Sequence, residues 1–190
     1  MNILKPQKVK FDESEKIDLK NIDRDEDIEH CKFSNIRMQN SKIENATFRD
    51  VVFENCDFSN TKFIENTFIR CEFNNCKLSG CDMAENRLYN VTFIETNASY
   101  INLAMASIEN VLFKDSNLRN SYFQETTAKN IYFENADLTQ AQFFKTSLKN
   151  VDLSNSTIEG IAITIDDIKG AIIDQSQSID LLYLLGVKVK

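Results

Sequence analysis

Five cysteines and one histidine are the side chains of this sequence best suited to metal binding or nucleophilic chemistry. The cysteines are Cys31, Cys56, Cys71, Cys76 and Cys81, and the even spacing of the last three would suit a zinc or redox site. Each of the five lies two residues before a large apolar residue, where other small side chains recur along the chain. We therefore interpret the cysteines as compact buried fillers, and their odd number favours reduced thiols in the cytosol.

Catalysis by a Ser-His-Asp or Cys-His arrangement would have to use His30, because the sequence holds one histidine. His30 follows an acidic segment at residues 12–29, and we interpret the histidine as a solvated surface residue and the segment as a solvated N-terminal cap. The sequence contains no Gly-rich phosphate loop, no H-E-x-x-H and no paired-cysteine zinc pattern. It predicts no enzyme activity, no metal site and no cofactor.

An apolar residue stands at every fifth position from Ile28 to Ile173, without one slip in register. Two residues before it runs a second column, from Cys31 to Ile161, that holds only Cys, Ile, Ser, Ala, Val, Thr and Asn. Neither a helix nor a strand has a period of five. Large residues that alternate with small ones fill a narrow interior at high density, so we expect five residues to form one side of a coil.

Asparagine recurs two residues after the large apolar position. Because asparagine tolerates the left-handed backbone region, and the chain has four glycines and one proline, we expect asparagine to make the corners of the coil. The thirteen asparagines at this position are Asn35, Asn40, Asn45, Asn55, Asn60, Asn75, Asn90, Asn110, Asn120, Asn130, Asn135, Asn150 and Asn155.

The five-residue units, such as CDFSN at 56–60 and CEFNN at 71–75, resemble the pentapeptide-repeat family over about residues 28–173. The resemblance implies an all-β fold, a right-handed parallel β-helix of square cross-section with four pentapeptides per coil. We expect residues 1–27 to form an N-terminal cap or arm, and residues 174–190 a C-terminal helix and strand for capping and dimerisation. Residues 20 apart would stack, and six phenylalanines would then form a ladder: Phe33, Phe53, Phe73, Phe93, Phe113 and Phe133.

One side of the expected rod carries an acidic stripe, opposed by Lys32 and Lys114 alone. Such charge either keeps the rod soluble or imitates a nucleic-acid backbone for a protein partner. B-DNA carries a charge per roughly 1.7 Å and this stripe one per coil of roughly 4.8 Å, so mimicry would also need apolar contacts. The stripe residues are Glu54, Glu72, Glu95, Asp115, Glu134 and Asp152. The expected outward apolar residues are Ile64, Ile69, Tyr89, Ile94, Tyr100, Met105, Leu112, Tyr122, Tyr132 and Phe144.

The sequence after Ile173 predicts a short helix with an apolar face, ended by Gly186 before a strand-like VKVK. The segment Gly170–Asp174, followed by Gln177 and later apolar residues, is similar to the C-terminal end of Qnr proteins, which protect type II topoisomerases from quinolones. The resemblance implies an end-to-end homodimer whose acidic, DNA-like surface binds DNA gyrase or topoisomerase IV. Its implied dimerisation residues are Leu181, Leu182, Leu185, Val187 and Val189.

The chain departs from many Qnr proteins of Gram-negative bacteria, because no loop interrupts the repeat register between 28 and 173. A structural or regulatory rod with a partner other than a topoisomerase is therefore the alternative function. The net charge of −7 disfavours direct nucleic-acid binding. No apolar run reaches the length of a membrane helix, and no secretory signal precedes the repeats, so we expect a cytoplasmic protein.

Overall fold

The inward positions of the repeat form one continuous hydrophobic core. The computed structural model describes residues 1, 3–7 and 26–188. Every large position from Ile28 to Ile163 is buried, except Ala128, which is half-buried. Ile168 and Ile173 are partly buried against the same core. The predicted period of five is therefore confirmed along the rod.

Short parallel strands stack residues that are 20 positions apart, as in the pairing of Phe33 with Phe53 and of Phe93 with Phe113. Each strand adds one rung to the stack, so the chain forms a parallel β-helix with 20 residues per coil. In the described ranges the strands are β1 Asp27–Glu29, β2 Lys32–Ser34, β3 Lys42–Glu44, β4 Thr47–Arg49, β5 Val52–Glu54, β6 Lys62–Ile64, β7 Thr67–Ile69, β8 Glu72–Asn74, β9 Arg87–Ile94, β10 Ser107–Lys114 and β11 Thr127–Glu134.

The cross-section of the coil has four corners, because every fifth residue from His30 to Asn150 adopts a positive φ. Asparagine makes half of the 24 non-glycine corners in the described part of the chain, in agreement with the prediction. Asn155 is an exception, since its φ is not positive. Side chains such as Tyr100 and Met105 make other corners, where the left-handed conformation is costly for a residue with a Cβ.

The sheets follow the sides of the coil. The side that contains the phenylalanine ladder, which we call the ladder side, joins the preceding side in one nine-stranded sheet, because β9, β10 and β11 each run across the corner between them. Strands β3 and β6 form a second sheet on another side. The last side is held by isolated bridges such as Arg37 with Asp57.

The small inward side chains bind the backbone as well as filling space. The Cys56 and Cys71 thiols donate to the carbonyls of Phe33 and Phe48, at 3.4 and 3.3 Å. The Asn86 amide donates to the Phe63 carbonyl at 2.7 Å. In each case the acceptor lies 23 residues earlier, on the coil below. This shared geometry explains why thiols, hydroxyls and amides can replace one another in the small column.

The C-terminal end of the rod is helical, and one helix was not expected. Helix α1, Ile165–Ile168, replaces one side of the last coil, while the repeat register continues to Ile173, since Asp152 still pairs with Ile172. Thr164 caps this helix, accepting a hydrogen bond from the Asp167 backbone N–H at 3.2 Å. The Thr164 and Asp167 side chains also bond to each other at 2.6 Å. The threonine and aspartate three residues apart are the signal that could have predicted the helix.

The predicted tail helix is present as α2, Ser178–Leu181, followed by a 3₁₀ turn at Leu182–Leu185. Gly186 ends this turn with a φ of 68°, as the sequence predicted. Val187 and Lys188 form no strand, and residues 189–190 lie outside the described residues. An isolated strand has no partner for its backbone groups, which explains why Val187 and Lys188 form none.

Candidate functional site

The six acids of the predicted stripe all lie on the ladder side or on its following corner. Glu54 and Glu134 come one residue after a ladder phenylalanine. Glu72 comes one residue before Phe73, and Asp152 one residue before Leu153, which continues the same column. Glu95 and Asp115 are adjacent left-handed corners and are both exposed. The stripe is therefore spread over three outward columns and is broader than a single line of charge.

Two of the stripe acids are paired with the opposing lysines. Lys32 Nζ lies 2.8 Å from Glu54, and Lys114 Nζ lies 3.3 Å from Glu134. Exposed pairs of this kind add little stability, but they reduce the net charge that a partner would meet. The pKa of Asp152 lies below its ordinary value because the Ser154 hydroxyl and backbone N–H both bind its carboxylate. The Asp152 carboxylate therefore stays ionised, while the two ion pairs partly neutralise Glu54 and Glu134.

The N-terminal arm, residues 1 and 3–7, lies across the ladder side. The Leu4 backbone N–H donates to Asn90 Oδ1 at 3.2 Å. Met1 and Ile3 line a hollow with Leu112 and Thr92, so that Leu112 is 5% exposed although the sequence predicted an outward residue available for binding. The prediction for Leu112 is wrong because the arm covers this position. No periodic signal in the sequence could have revealed that contact.

A cluster of three side chains holds the other end of the arm. The Gln7 backbone N–H donates to Asp50 Oδ1 at 3.0 Å, and His30 Nδ1 donates to the Gln7 carbonyl oxygen at 2.9 Å. Arg70 binds both Asp50 oxygens at 2.6 Å. His30 therefore remains a surface residue with a 37% exposed side chain, but it also contacts the arm, which its interpretation as a solvated residue did not include. The acidic segment beside it lies mostly outside the described residues.

Asp50 is the negatively charged member of this cluster, and it is almost fully buried beside the Arg70 guanidinium. Burial raises the pKa of Asp50, but the hydrogen bonds from Arg70 and the Gln7 N–H outweigh that effect and hold the pKa below its ordinary value. The carboxylate therefore stays ionised at neutral pH. The ionised Asp50 carboxylate thus binds the arm at Gln7, at the edge of the ladder side.

All five cysteines are buried and free, as the repeat register predicted. Burial raises the pKa of the Cys71 thiol to about 12 and also raises the pKa of Cys81. A hydrogen bond to Cys56, together with burial, raises the pKa of Cys76. These thiols are protonated and shielded from solvent, so they are poor nucleophiles. Within the described ranges, no three His, Cys, Asp or Glu side chains come together as a metal site.

The C-terminal tail has one face on the core and one face open. Leu181 and Leu184 pack on the core, and the buried Gln177 amide donates to the Leu153 and Ser156 carbonyls at 2.8 and 2.5 Å. Leu182 is half-buried, and Leu185 and Val187 are exposed. Val189 lies outside the described residues. Among the described residues, the exposed apolar ones at this end are Ile165, Ile172, Ile179, Tyr183, Leu185 and Val187.

Two protein-family models match the repeats. The model for the pentapeptide repeat region matches residues 66–143, and the model for pentapeptide repeats in nine copies matches residues 28–71. The chain is a pentapeptide-repeat protein. Proteins of this family are generally structural or interaction proteins and not catalysts. Among the described residues, no helix is long and apolar enough to cross a membrane.

Solved structures with a similar fold include a trypsin-treated variant of QnrB1, a plasmid-mediated fluoroquinolone resistance protein. It is 20% identical, with 92% of this chain and 94% of that chain covered at a TM-score of 0.44. HetL, involved in heterocyst differentiation regulation in the cyanobacterium Nostoc, is 13% identical, with 82% and 92% covered at a TM-score of 0.38. A thylakoid-lumen protein of Arabidopsis thaliana is 14% identical, with 62% and 65% covered at a TM-score of 0.31. The search of curated proteins gave no match.

Proposed function

We propose that this protein is a non-catalytic, Qnr-type rod that binds DNA gyrase or topoisomerase IV in the cytoplasm and protects it from quinolones. The observation that carries the proposal is the C-terminal segment, whose Gly170–Asp174, Gln177 and Leu185–Val187 are similar to Qnr proteins. Gln177 closes the last coil from inside, and the exposed apolar face beyond it suits a second copy of the chain. Two rods joined at this end form a homodimer of twice the length.

The acidic ladder side supplies the surface that would imitate DNA in this proposal. Two adjacent left-handed corners, Glu95 and Asp115, are exposed, and neither forms an ion pair within the described residues. The half-buried Ile94 and Tyr132 add apolar contact beside them. Because roughly one charge per coil is too dilute for affinity by charge alone, shape and these apolar groups must contribute to binding.

The direct test is supercoiling by purified gyrase and decatenation by topoisomerase IV with ciprofloxacin, with increasing amounts of this protein. We expect the protein to restore the supercoiling or decatenation that the drug inhibits, and to alter the uninhibited reaction at higher concentration. If both enzymes behave identically with and without the protein over the whole concentration range, the topoisomerase proposal is wrong.

Charge reversal tests which surface is used. We expect Glu95→Lys with Asp115→Lys to weaken enzyme binding at least about tenfold, because like charges would then face each other across the interface. The matched control is Glu65→Lys with Glu85→Lys, which makes the same charge change at two adjacent left-handed corners away from the ladder side. Equal effects of the two pairs would remove the ladder side from the mechanism.

The alternative, a structural or regulatory rod with another protein partner, is favoured by Tyr100 and Met105. Both are more than half exposed, and both stand at left-handed corners where asparagine would be less strained. An exposed aromatic and a methionine are frequent interface residues. A partner that binds the wild-type rod but not the Tyr100→Asn, Met105→Asn variant, while topoisomerase assays remain negative, would support this function.

A further inference from the structure

The N-terminal arm lies over much of the surface that the proposed function requires. Lys5 and Pro6 line a hollow with Glu54 and Glu72. Met1 lines another with Asp115, Glu134 and Asp152. Five of the six stripe acids thus border hollows that the arm also borders. A partner approaching this side would meet the arm before it met most of the acids.

The arm matches this surface in charge and in shape. The described residues of the arm contain one lysine, Lys5, and no acid, so this part of the arm is a cationic segment lying on an acidic face. Ile3 is partly buried and Leu4 is exposed, as expected of an extended chain that alternates its side chains. Thr92 is 6% exposed beneath it, and its hydroxyl has no hydrogen-bond partner among the described residues.

The described residues of the arm make few hydrogen bonds to the rod. The backbone N–H groups of Leu4 and Gln7 donate one each, and the Gln7 carbonyl accepts one from His30. None of the arm's described residues belongs to a strand. Met1 and Leu4 are largely exposed. Segments with few buried contacts and few hydrogen bonds open at much lower free energy than a packed core.

We propose that the N-terminal arm is a displaceable strap over the acidic ladder side, and that a basic protein surface binds this side by taking the place of the arm. The arm is then an intramolecular competitor of the partner. Loosening it raises the affinity for a basic partner, because the fraction of molecules with an open ladder side increases. This inference rests on the proposed use of the ladder side for binding.

The strap can be tested without any partner. In a Thr92→Cys background the new thiol lies beneath the arm, and the five native thiols are buried. We expect Ile3→Asp to raise the rate of thiol labelling at position 92 roughly three- to tenfold, as loss of a weak anchor predicts. Leu4→Asp is the matched control, since it adds the same charge at an exposed neighbouring residue. Equal labelling rates in the two variants would overturn the strap.

Affinity for gyrase and topoisomerase IV separates this inference from the proposed function. We expect Ile3→Asp to bind these enzymes more tightly than Leu4→Asp does. The ratio of the two affinities should equal the ratio of the two thiol-labelling rates at position 92. If the wild type binds an enzyme and the two variants bind it with equal affinity, the arm does not compete with the partner, and the proposed function is unaffected. If no variant binds either enzyme, the proposed function fails. The strap is then tested with polylysine as a basic probe. Tighter polylysine binding by Ile3→Asp than by Leu4→Asp supports the strap, and equal binding by the two variants overturns it.

Discussion

At the residue scale, the small inward column couples packing to hydrogen bonding. Cys56, Ser116, Thr126 and Asn86 in this column each donate to a carbonyl on the coil below. A buried carbonyl that lost this donor would lack a hydrogen bond, which typically costs about 1–3 kcal/mol. The cysteines thus contribute weak S–H donors to the fold, a role that their treatment as simple hydrophobes missed.

The centre of the phenylalanine ladder should be sensitive to truncation. Phe93 is fully buried, with its ring 4.9 Å from that of Phe73 and 4.6 Å from that of Phe113. We expect Phe93→Ala to lower the free energy of unfolding by about 3–5 kcal/mol because it leaves a cavity between stacked rings. Denaturant unfolding measures this loss. Phe144→Ala, the same change at a side chain that is 40% exposed, should cost about 1 kcal/mol or less.

Asp50 should make stability depend on acid pH. Its pKa in the folded protein lies below the ordinary 3.8, so its contribution is complete above that value and is lost as the pH falls through the folded pKa. We expect Asp50→Asn to cost about 1.5–3 kcal/mol at pH 7 and to flatten the stability profile below about pH 4. Asp115→Asn, at another left-handed corner, is the control. If Asp50→Asn and Asp115→Asn have the same free energy of unfolding at every pH, Asp50 does not stabilise the fold in this way.

At the scale of elements, the coil is the unit of the structure. Each coil contacts the coils above and below through pairs 20 residues apart, so stability should be close to a sum over neighbouring coils. The Asn110 side chain illustrates this repetition, since it donates to Asn90 and accepts from Asn130 on successive coils. Such stacks of hydrogen-bonded asparagine side chains form only where residues 20 apart stay aligned on successive coils.

Removal of one complete coil should therefore be tolerated. We expect deletion of residues 137–156 to leave a folded rod with a melting temperature lower by less than about 10 °C, because every column is rejoined in register. The Gln177 amide would then meet the carbonyls of Phe133 and Ala136. Circular dichroism and thermal melting measure the result. Deletion of residues 137–154 breaks the register and should abolish cooperative unfolding; equal behaviour of both deletions would refute a 20-residue unit.

The sequence predicted the elements well where they repeat and poorly where they do not. The spacing of Ile28 to Ile163 revealed the core because one short-range rule acts at every coil. The arm over Leu112 and the partner of His30 depend on single contacts between distant segments, for which a lone sequence carries no periodic signal. Helix α1 was missed because Ile163 and Ile168 keep the spacing of five while the chain between them turns helical.

At the scale of the whole molecule, the open C-terminal face should determine the oligomeric state. We expect the wild type to sediment at twice the chain mass of 21.9 kDa, and Leu185→Glu to sediment at that mass while its melting temperature changes little. Leu185 is 67% exposed, so a charge there disturbs an interface and not the core. Met105→Glu places the same charge on an equally apolar but lateral site and should remain dimeric. A monomeric wild type would exclude this interface.

The uniform pairing of residues 20 apart also bears on how fast the chain folds. A separation of 20 in 190 residues gives a relative contact order of roughly 0.1, in the range of helical bundles and below that of most β-sandwiches. Every new coil closes a loop of the same length, whatever the length of the rod. Growth can therefore proceed coil by coil from a local nucleus. This all-β protein should accordingly escape the slow search for distant strand partners that delays most β-sheet proteins.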